Sequence, residues 1–386
     1  MRLAHTAIRV AMTAALIVPV VITPVASARA DTCAWTSISV PSPGTDSSTL
    51  LGVDVASSTD AWAVGWDASV ETPDLRLPLA VHWDGSAWVE TPMPAMEGLS
   101  TELSGVAAVA ADQVWAVGTT RNPVTLRDRF IVYRWSGSEW TIVRRGPENG
   151  ARSTLQAVSA AAPDDVWAVG FINDRTMTLH WDGQRWMRIA SPNPGLRFNG
   201  LYGVTAVDAG RAWAVGDRRD QLDGSPLILR WNGVEWAVSS VPALRNVAGF
   251  RDVDATSRRD AWVVGFTGVK TLALHFDGTA WRKVNTPNPA SSGNDLDGVT
   301  TVASDDVWAV GQRIDGEDPG RNLILHFDGT AWAEVAAPDP GVPNRLYDVD
   351  GSSATDLWSV GQARLAGIPS TQALQGCAPP PPPPAA

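Results

Sequence analysis

The sequence predicts an all-β fold, a seven-bladed β-propeller of four-stranded antiparallel blades whose last blade is closed by the N-terminal strand. Three observations lead there. A Trp-Ala-Val-Gly-like phrase occurs seven times, as "DDVWAVG" at 164–170 and again at 305–311, with variants ending at Gly65, Gly118, Gly216, Gly265 and Gly361. A second tryptophan follows each of six Asp-Gly-like pairs, at Trp88, Trp140, Trp186, Trp236, Trp281 and Trp332. The apolar segments in between are short, rich in Val, Leu and Ile, and lack helical spacing, which reads as strands.

The phrase tryptophans are Trp62, Trp115, Trp167, Trp213, Trp262, Trp308 and Trp358, a mean period of about 49 residues. Periods this long indicate propellers or solenoids, and a β-solenoid needs a much shorter coil. Within 296–340 the order is "LDGVTTVA", "VWAVG", "LILHF" and "TAWAEV", four strands designated A to D. The pairs Asp84-Gly85, Asp182-Gly183, Asp277-Gly278 and Asp328-Gly329, with Ser136-Gly137 and Asn232-Gly233, predict a two-residue hairpin turn from C to D. An indole burying about 200 Å² contributes about 5 kcal/mol gross, so tryptophans wedged between blades are expected to carry the core.

The seventh phrase is followed by "STQALQGC", with no Asp-Gly turn and no second tryptophan. The missing strand lies at the other end, where "TCAWTSISVPSPG" at 32–44 matches "GTAWRKVNTPNPA" at 278–290 and makes Trp35 the seventh outer tryptophan. Closing the ring this way pairs edges that would otherwise stay exposed. In that register Cys377 stands at the Asp of the absent turn and Cys33 just beyond its Gly, so a Cys33–Cys377 disulfide is expected.

Residues 1–30 run from Arg2 and Arg9 through an apolar stretch to Ala28-Arg29-Ala30, the pattern of a secretory signal peptide. This leaves 31–377 as the propeller domain and 378–386 as a proline-rich tail of polyproline II composition. A secreted, extracellular location is expected, where disulfides persist. Pro19 and Pro24 interrupt the apolar run, so no membrane insertion is expected after signal cleavage. With 44% hydrophobic and 18% charged residues the chain should fold, and a net charge of −11 without a basic run excludes nucleic acid as a partner. A monomer is expected.

The unit "DDVWAVG…LILHFDGTAW" resembles the repeat of secreted bacterial β-propellers. It is similar to tectonin-type propellers and to the Asp-box propellers that include sialidases and photosystem II assembly factors. "HFDGTAW" keeps the Asp, Gly and Trp of an Asp-box but lacks the spacer between Asp and Gly. The match covers about residues 32–377 and implies the fold; these families differ widely in what they bind.

A sialidase would need an arginine cluster, a tyrosine nucleophile with a carboxylate partner, and an acid. Tyr133, Tyr202 and Tyr347 all occupy repeat positions, Tyr133 being read as the equivalent of His82 and His180, so no nucleophile stands out. The expectation is a non-catalytic protein with no cofactor. His82, His180, His275 and His326 share one strand-C position and would lie on a ring, so a structural hydrogen bond to a neighbouring turn is expected rather than a shared metal. The aspartates two residues before five of the phrase tryptophans, Asp60, Asp165, Asp260, Asp306 and Asp356, read as turn formers capping their own backbone. Asp54, Asp252, Asp254, Asp297, Asp348 and Asp350 on the inner strands leave a channel cation open.

In a four-stranded meander the A–B and C–D turns share one face, and the variable B–C and D–A connections share the other. Binding residues favour such scaffolded loops. Immediately after the phrase glycine stand Trp66, Phe171 and Phe266, where other blades have Thr119, Asp217, Gln312 and Gln362. Those three aromatics could stack on sugars or grip a partner, or else pack beneath their own loops. With Arg129, Arg175 and Arg218 they form the candidate ligand-binding set, and the mixed charge of this face points to an extracellular protein or a glycan. A lectin-like carbohydrate-binding module is the alternative, and a glycosidase or lyase acting at the channel mouth ranks behind it.

Overall fold

Short β-branched and aromatic segments pair into seven four-stranded antiparallel sheets in the computed structural model, which describes residues 33–41, 47–69, 72–147, 150–220, 224–244, 248–365 and 367–377. The expected signal peptide and proline tail lie outside the described residues. The first blade runs in chain order through Ser47–Ser57, Asp60–Ser69, Thr72–Trp83 and Trp88–Glu90, and five more repeat that order. In the seventh, Asn344–Ser353, Asp356–Leu365 and Ile368–Gly376 are completed by Trp35–Ile38 from the N-terminus. Trp35 pairs with Gly376, and the Cys33–Cys377 disulfide closes the ring beside that pair. Among the described residues no helix is long and apolar enough to cross a membrane.

The core sits between blades, as the tryptophan count requires. Each phrase tryptophan packs against the next blade's outer strands: Trp62 meets Trp140 edge-on at 5.5 Å, Trp115 meets Trp186 at 5.1 Å, and Trp308 meets Trp35 at 5.6 Å. The Trp308–Trp35 contact is therefore the sixth blade's hold on the closing strand. Trp35 is only 5% exposed, and at Gly376 a Cβ would lie 2.7 Å from its ring.

The phrase glycine has a specific cause. A Cβ at Gly65 would meet the Thr49 carbonyl oxygen at 1.9 Å, and the other six phrase glycines meet the equivalent strand-A carbonyl at 2.0–2.1 Å. That approach accompanies a β-bulge in strand A of every blade, at Leu51, Ser104, Gln156, Tyr202, Arg251, Asp297 and Tyr347. A bulge re-aims the extra side chain, and all seven of these residues line the central channel.

Three expectations are corrected. The C–D turn has four residues rather than two: Asp84 to Ala87 lie inside the Trp83–Trp88 pair, and Asp84 Oδ1 accepts from the Ser86 and Ala87 amides at 2.8 and 2.9 Å. Only the glycine takes positive φ, 92° at Gly85, because the carboxylate organises the remaining residues. The aspartates opening strand B do not simply cap their own backbone. Asp60, Asp165, Asp260 and Asp306 reach across to His82, His180, His275 and His326, with Oδ1 to Nε2 distances of 2.7–2.9 Å. Each imidazole also stacks on its phrase tryptophan, 4.1 Å between centroids for Trp308 and His326, so Trp, His and Asp form a structural triplet within a blade. Finally, Arg134 rather than Tyr133 stands opposite its phrase tryptophan as His82 does. Tyr133 lies one residue earlier, on the other face, buried with its hydroxyl donating to Pro94 O at 3.0 Å.

Candidate functional site

The glycine and bulge of each blade together set the geometry of the channel. The bulge residue points into it, while the residue after the phrase glycine pairs with strand A just above, at the variable-loop end. The short turns lie on the opposite face, where Gly85 of a C–D turn stands against Thr59 of an A–B turn.

Deep in the channel, all six inner-strand aspartates tie neighbouring blades together, five of them through a backbone amide. Asp348 and Asp350 accept from the Val53 and Val55 amides at 2.9 and 2.7 Å, across the joint where the ring closes. Asp54 accepts from Ala108 N at 2.9 Å; Asp252 and Asp254 accept from Val299 N and Thr301 N at 3.0 and 2.7 Å. The sixth, Asp297, instead takes both ends of the Arg345 guanidinium at 2.7 and 2.8 Å. Burial pushes the Asp252 carboxyl up to about 7 and the Asp350 carboxyl to about 6. The same cause raises Asp54 and Asp348, with like charge from Asp350 and Asp252 adding to it. Among the described residues no group of three or more His, Cys, Asp or Glu side chains is arranged to hold a metal ion.

Above this floor, aromatic rings alternate with arginines around the channel mouth. Arg76 lies over Trp66 at 4.1 Å and pairs with Glu102. Arg152 lies 6.0 Å from the Phe171 ring, and with Arg121 it holds Asp128, each Nε at 2.8 Å from a carboxylate oxygen. Phe171 also meets Phe198 edge-on at 5.4 Å; Arg219 covers Phe198 at 5.2 Å and pairs with Asp217 at 3.3 Å. Arg251 lies over both Phe266 and Tyr202, at 5.1 and 5.6 Å, and the Tyr202 hydroxyl donates to Asp217 at 2.8 Å. Burial raises the Tyr202 phenol further above its ordinary value. The channel cavity measures about 190 Å³, and a basin of about 410 Å³ between Arg76, Glu102, Asp128, Arg152 and Phe171 adjoins it through Gln156.

Trp66, Phe171 and Phe266 are thus half-buried around one mouth, each beneath an arginine, without touching one another. Arg129, Arg175 and Arg218 do not join them. Arg129 borders a separate pocket of about 300 Å³ with Arg127 and Arg145; Arg175 is exposed beside the Asn173-Asp174 turn; Arg218 packs next to Gly195. The sequence reading missed Arg76, Arg152, Arg251 and Arg345 as mouth residues. For Arg251 alone a signal was present: its strand-A position varies between blades, from Leu51 to Arg251 to Tyr347, whereas Arg76, Arg152 and Arg345 occupy other positions.

The fold defines the class, a seven-bladed β-propeller with a central channel. No family model matches the chain, and no curated protein matches its sequence. Solved structures share its fold. YCF48 bound to a D1 peptide superposes over 91% of this chain and 97% of its own, with a TM-score of 0.58 at 14% identity. YCF48 from Cyanidioschyzon merolae gives 0.56 at 14% identity over 89% and 98%. The extracellular domain of BT4673 from B. thetaiotaomicron gives 0.52 at 11% identity over 88% of this chain and 40% of that one. These similarities are of fold.

Proposed function

We propose that this chain is a secreted, non-catalytic propeller that binds an extracellular protein through its variable-loop face. One observation carries the reading: where its exposed aliphatic residues stand. Val124 and Leu126 on the blade 2 B–C loop are 88% and 67% exposed, and Leu196 on the link from blade 3 to blade 4 is 87% exposed. Val269, Leu365 and Ile368 are exposed on the B–C turns of blades 5 and 7. Elsewhere Val234 is exposed on a C–D turn, and Val89, Val143 and Val238 are exposed along the outer strands. Water-exposed aliphatic groups gathered on one face of a folded domain favour a protein partner over a sugar, which prefers aromatic platforms and polar groups.

The disulfide between Cys33 and Cys377 supports an oxidising compartment. A solved neighbour holding a peptide and another that is an extracellular domain are consistent with such a role. The likeness of the repeat to tectonin-type and Asp-box propellers keeps a lectin-like module as the second reading. The mouth aromatics favour it, although each already carries an arginine and they differ from blade to blade.

The test is selection of binders from a displayed random-peptide library, run beside a glycan array. Peptides should be recovered whose affinity falls at least tenfold when Val124, Leu126 and Leu196 are changed together to Asp, and stays unchanged in Val234→Asp. Glycan hits without peptide binders, or binders that depend on Val234, would overturn the reading.

A further inference from the structure

The arginines of the channel mouth are matched by acids with one exception. Arg76 has Glu102, Arg121 and Arg152 share Asp128, Arg219 has Asp217, and Arg345 holds Asp297 bidentately. Arg251 has no ion pair within 4.0 Å among the described residues. Its Nε is buried without an acceptor. Among the neighbouring acids, Asp297 belongs to Arg345, and Asp295 feels the charge of Arg251 without an ion pair to it. The following residue, Asp252, is turned to the Val299 amide of the next blade.

The strand-A bulge of blade 5 aims this guanidinium into the channel cavity, and the rings of Tyr202 and Phe266 at 5.6 and 5.1 Å hold it there. A guanidinium placed by packing and left without an acid presents a planar fork of N–H donors that matches a carboxylate. We propose that Arg251 is the anchor for a carboxylate group of the ligand, received end-on at the channel mouth with an apolar or aromatic body against Phe266 and Tyr202. The inference rests on the variable-loop face being the binding face, and narrows it to an acidic feature of the partner. A singly charged carboxylate suits the site better than a phosphate. Each added negative charge there meets repulsion from the acidic channel floor, where Asp254 lines the same cavity. The cavity of about 190 Å³ accepts one such group, not a folded element.

The site can be tested on the full purified chain without knowing the partner, using benzoate, benzamide and inorganic phosphate as probes. The Nε–H resonance of Arg251, assigned by its loss in Arg251→Met, is followed by ¹⁵N-¹H NMR. Benzoate should shift it saturably with a dissociation constant of about 1–10 mM, as expected for about 3–4 kcal/mol of binding. Benzamide should not shift it, and phosphate should bind at least fivefold more weakly than benzoate. Phe266→Ala should weaken benzoate about threefold or more while leaving the resonance visible. In Arg251→Met, saturable benzoate shifts of the neighbouring Tyr202 and Phe266 resonances should disappear. Equal responses to benzoate and benzamide, or benzoate shifts that persist in Arg251→Met, would overturn the proposal. Peptide binders recovered from the library but indifferent to benzoate would leave the binding face standing and reject only the carboxylate anchor.

Discussion

Changing both cysteines, Cys33→Ser with Cys377→Ser, removes the covalent end of a strand that otherwise pairs through four residues, Trp35 to Ile38. The disulfide spans a sequence separation of 344. For a loop of that length the chain-entropy relation gives about 6 kcal/mol, an upper figure because long unfolded loops retain structure. The competing term is Trp35, whose burial between Trp308 and Gly376 contributes about 5 kcal/mol gross and about 3–5 kcal/mol on truncation to alanine. The two are similar, so neither alone holds the ring shut. With an unfolding entropy of about 2.1 cal/mol/K per residue over about 345 residues, a loss of about 6 kcal/mol lowers Tm by about 8 °C.

Differential scanning calorimetry of the double-serine variant should therefore show a Tm drop of several degrees and no more than about 8 °C. Hydrogen exchange should rise at residues 35–38 before any other strand. Adding Trp35→Ala should cost less than the sum of the separate effects, since both act on one strand. An unchanged Tm together with unchanged exchange at 35–38 would refute the argument, and would mean that strand pairing and the Asp348 and Asp350 ties to Val53 and Val55 suffice for closure.

The buried channel aspartates give stability a pH slope. Asp252 and Asp350 keep their protons in the folded state up to about 7 and about 6, whereas the unfolded chain loses them near 3.8, so the folded state binds more protons in between. Stability is then greatest below the unfolded value and falls as pH rises toward 7; Tm measured from pH 5 to pH 8 should decline, and Asp252→Asn should flatten the slope. Truncating His326→Ala leaves Asp306 without its imidazole partner at a buried site and uncovers one face of Trp308. A loss of about 2–3 kcal/mol is expected in denaturant unfolding, more than for His82→Ala, because His82 is about 30% exposed and His326 about 4%.

Much of the ring was legible because repetition converts a weak local signal into a count. Seven phrase tryptophans and six outer ones left one strand unaccounted for, and only the segment around Trp35 matched it. The cysteines then followed from register. Register within strand C of blade 2 is less legible: Tyr133 and Arg134 differ by one residue, which puts them on opposite faces of the strand, since side chains alternate. The role of Asp60, Asp165, Asp260 and Asp306 was ambiguous for a different reason. A carboxylate at a turn can accept from its own backbone or from a neighbour across the sheet, and only the paired strand shows that His82 and its equivalents lie within reach.

The amino-acid sequence by itself determined the blade number, the strand order, the closing strand and the disulfide, because these depend on periodicity and on which residues fit a pleated, buried layer. The tertiary structure alone decided which side chains share the channel mouth. Arg76, Arg152, Arg251 and Arg345 come from four different blades, and Arg251 enters the channel because a bulge inserts one residue and turns it inward. That turn depends on Gly265 letting strand B approach the Gly249 carbonyl, where a Cβ would lie 2.1 Å from the oxygen. A displacement of that kind breaks the alternation on which a reading of strand faces relies, so the residue it presents is found only once the strands are paired.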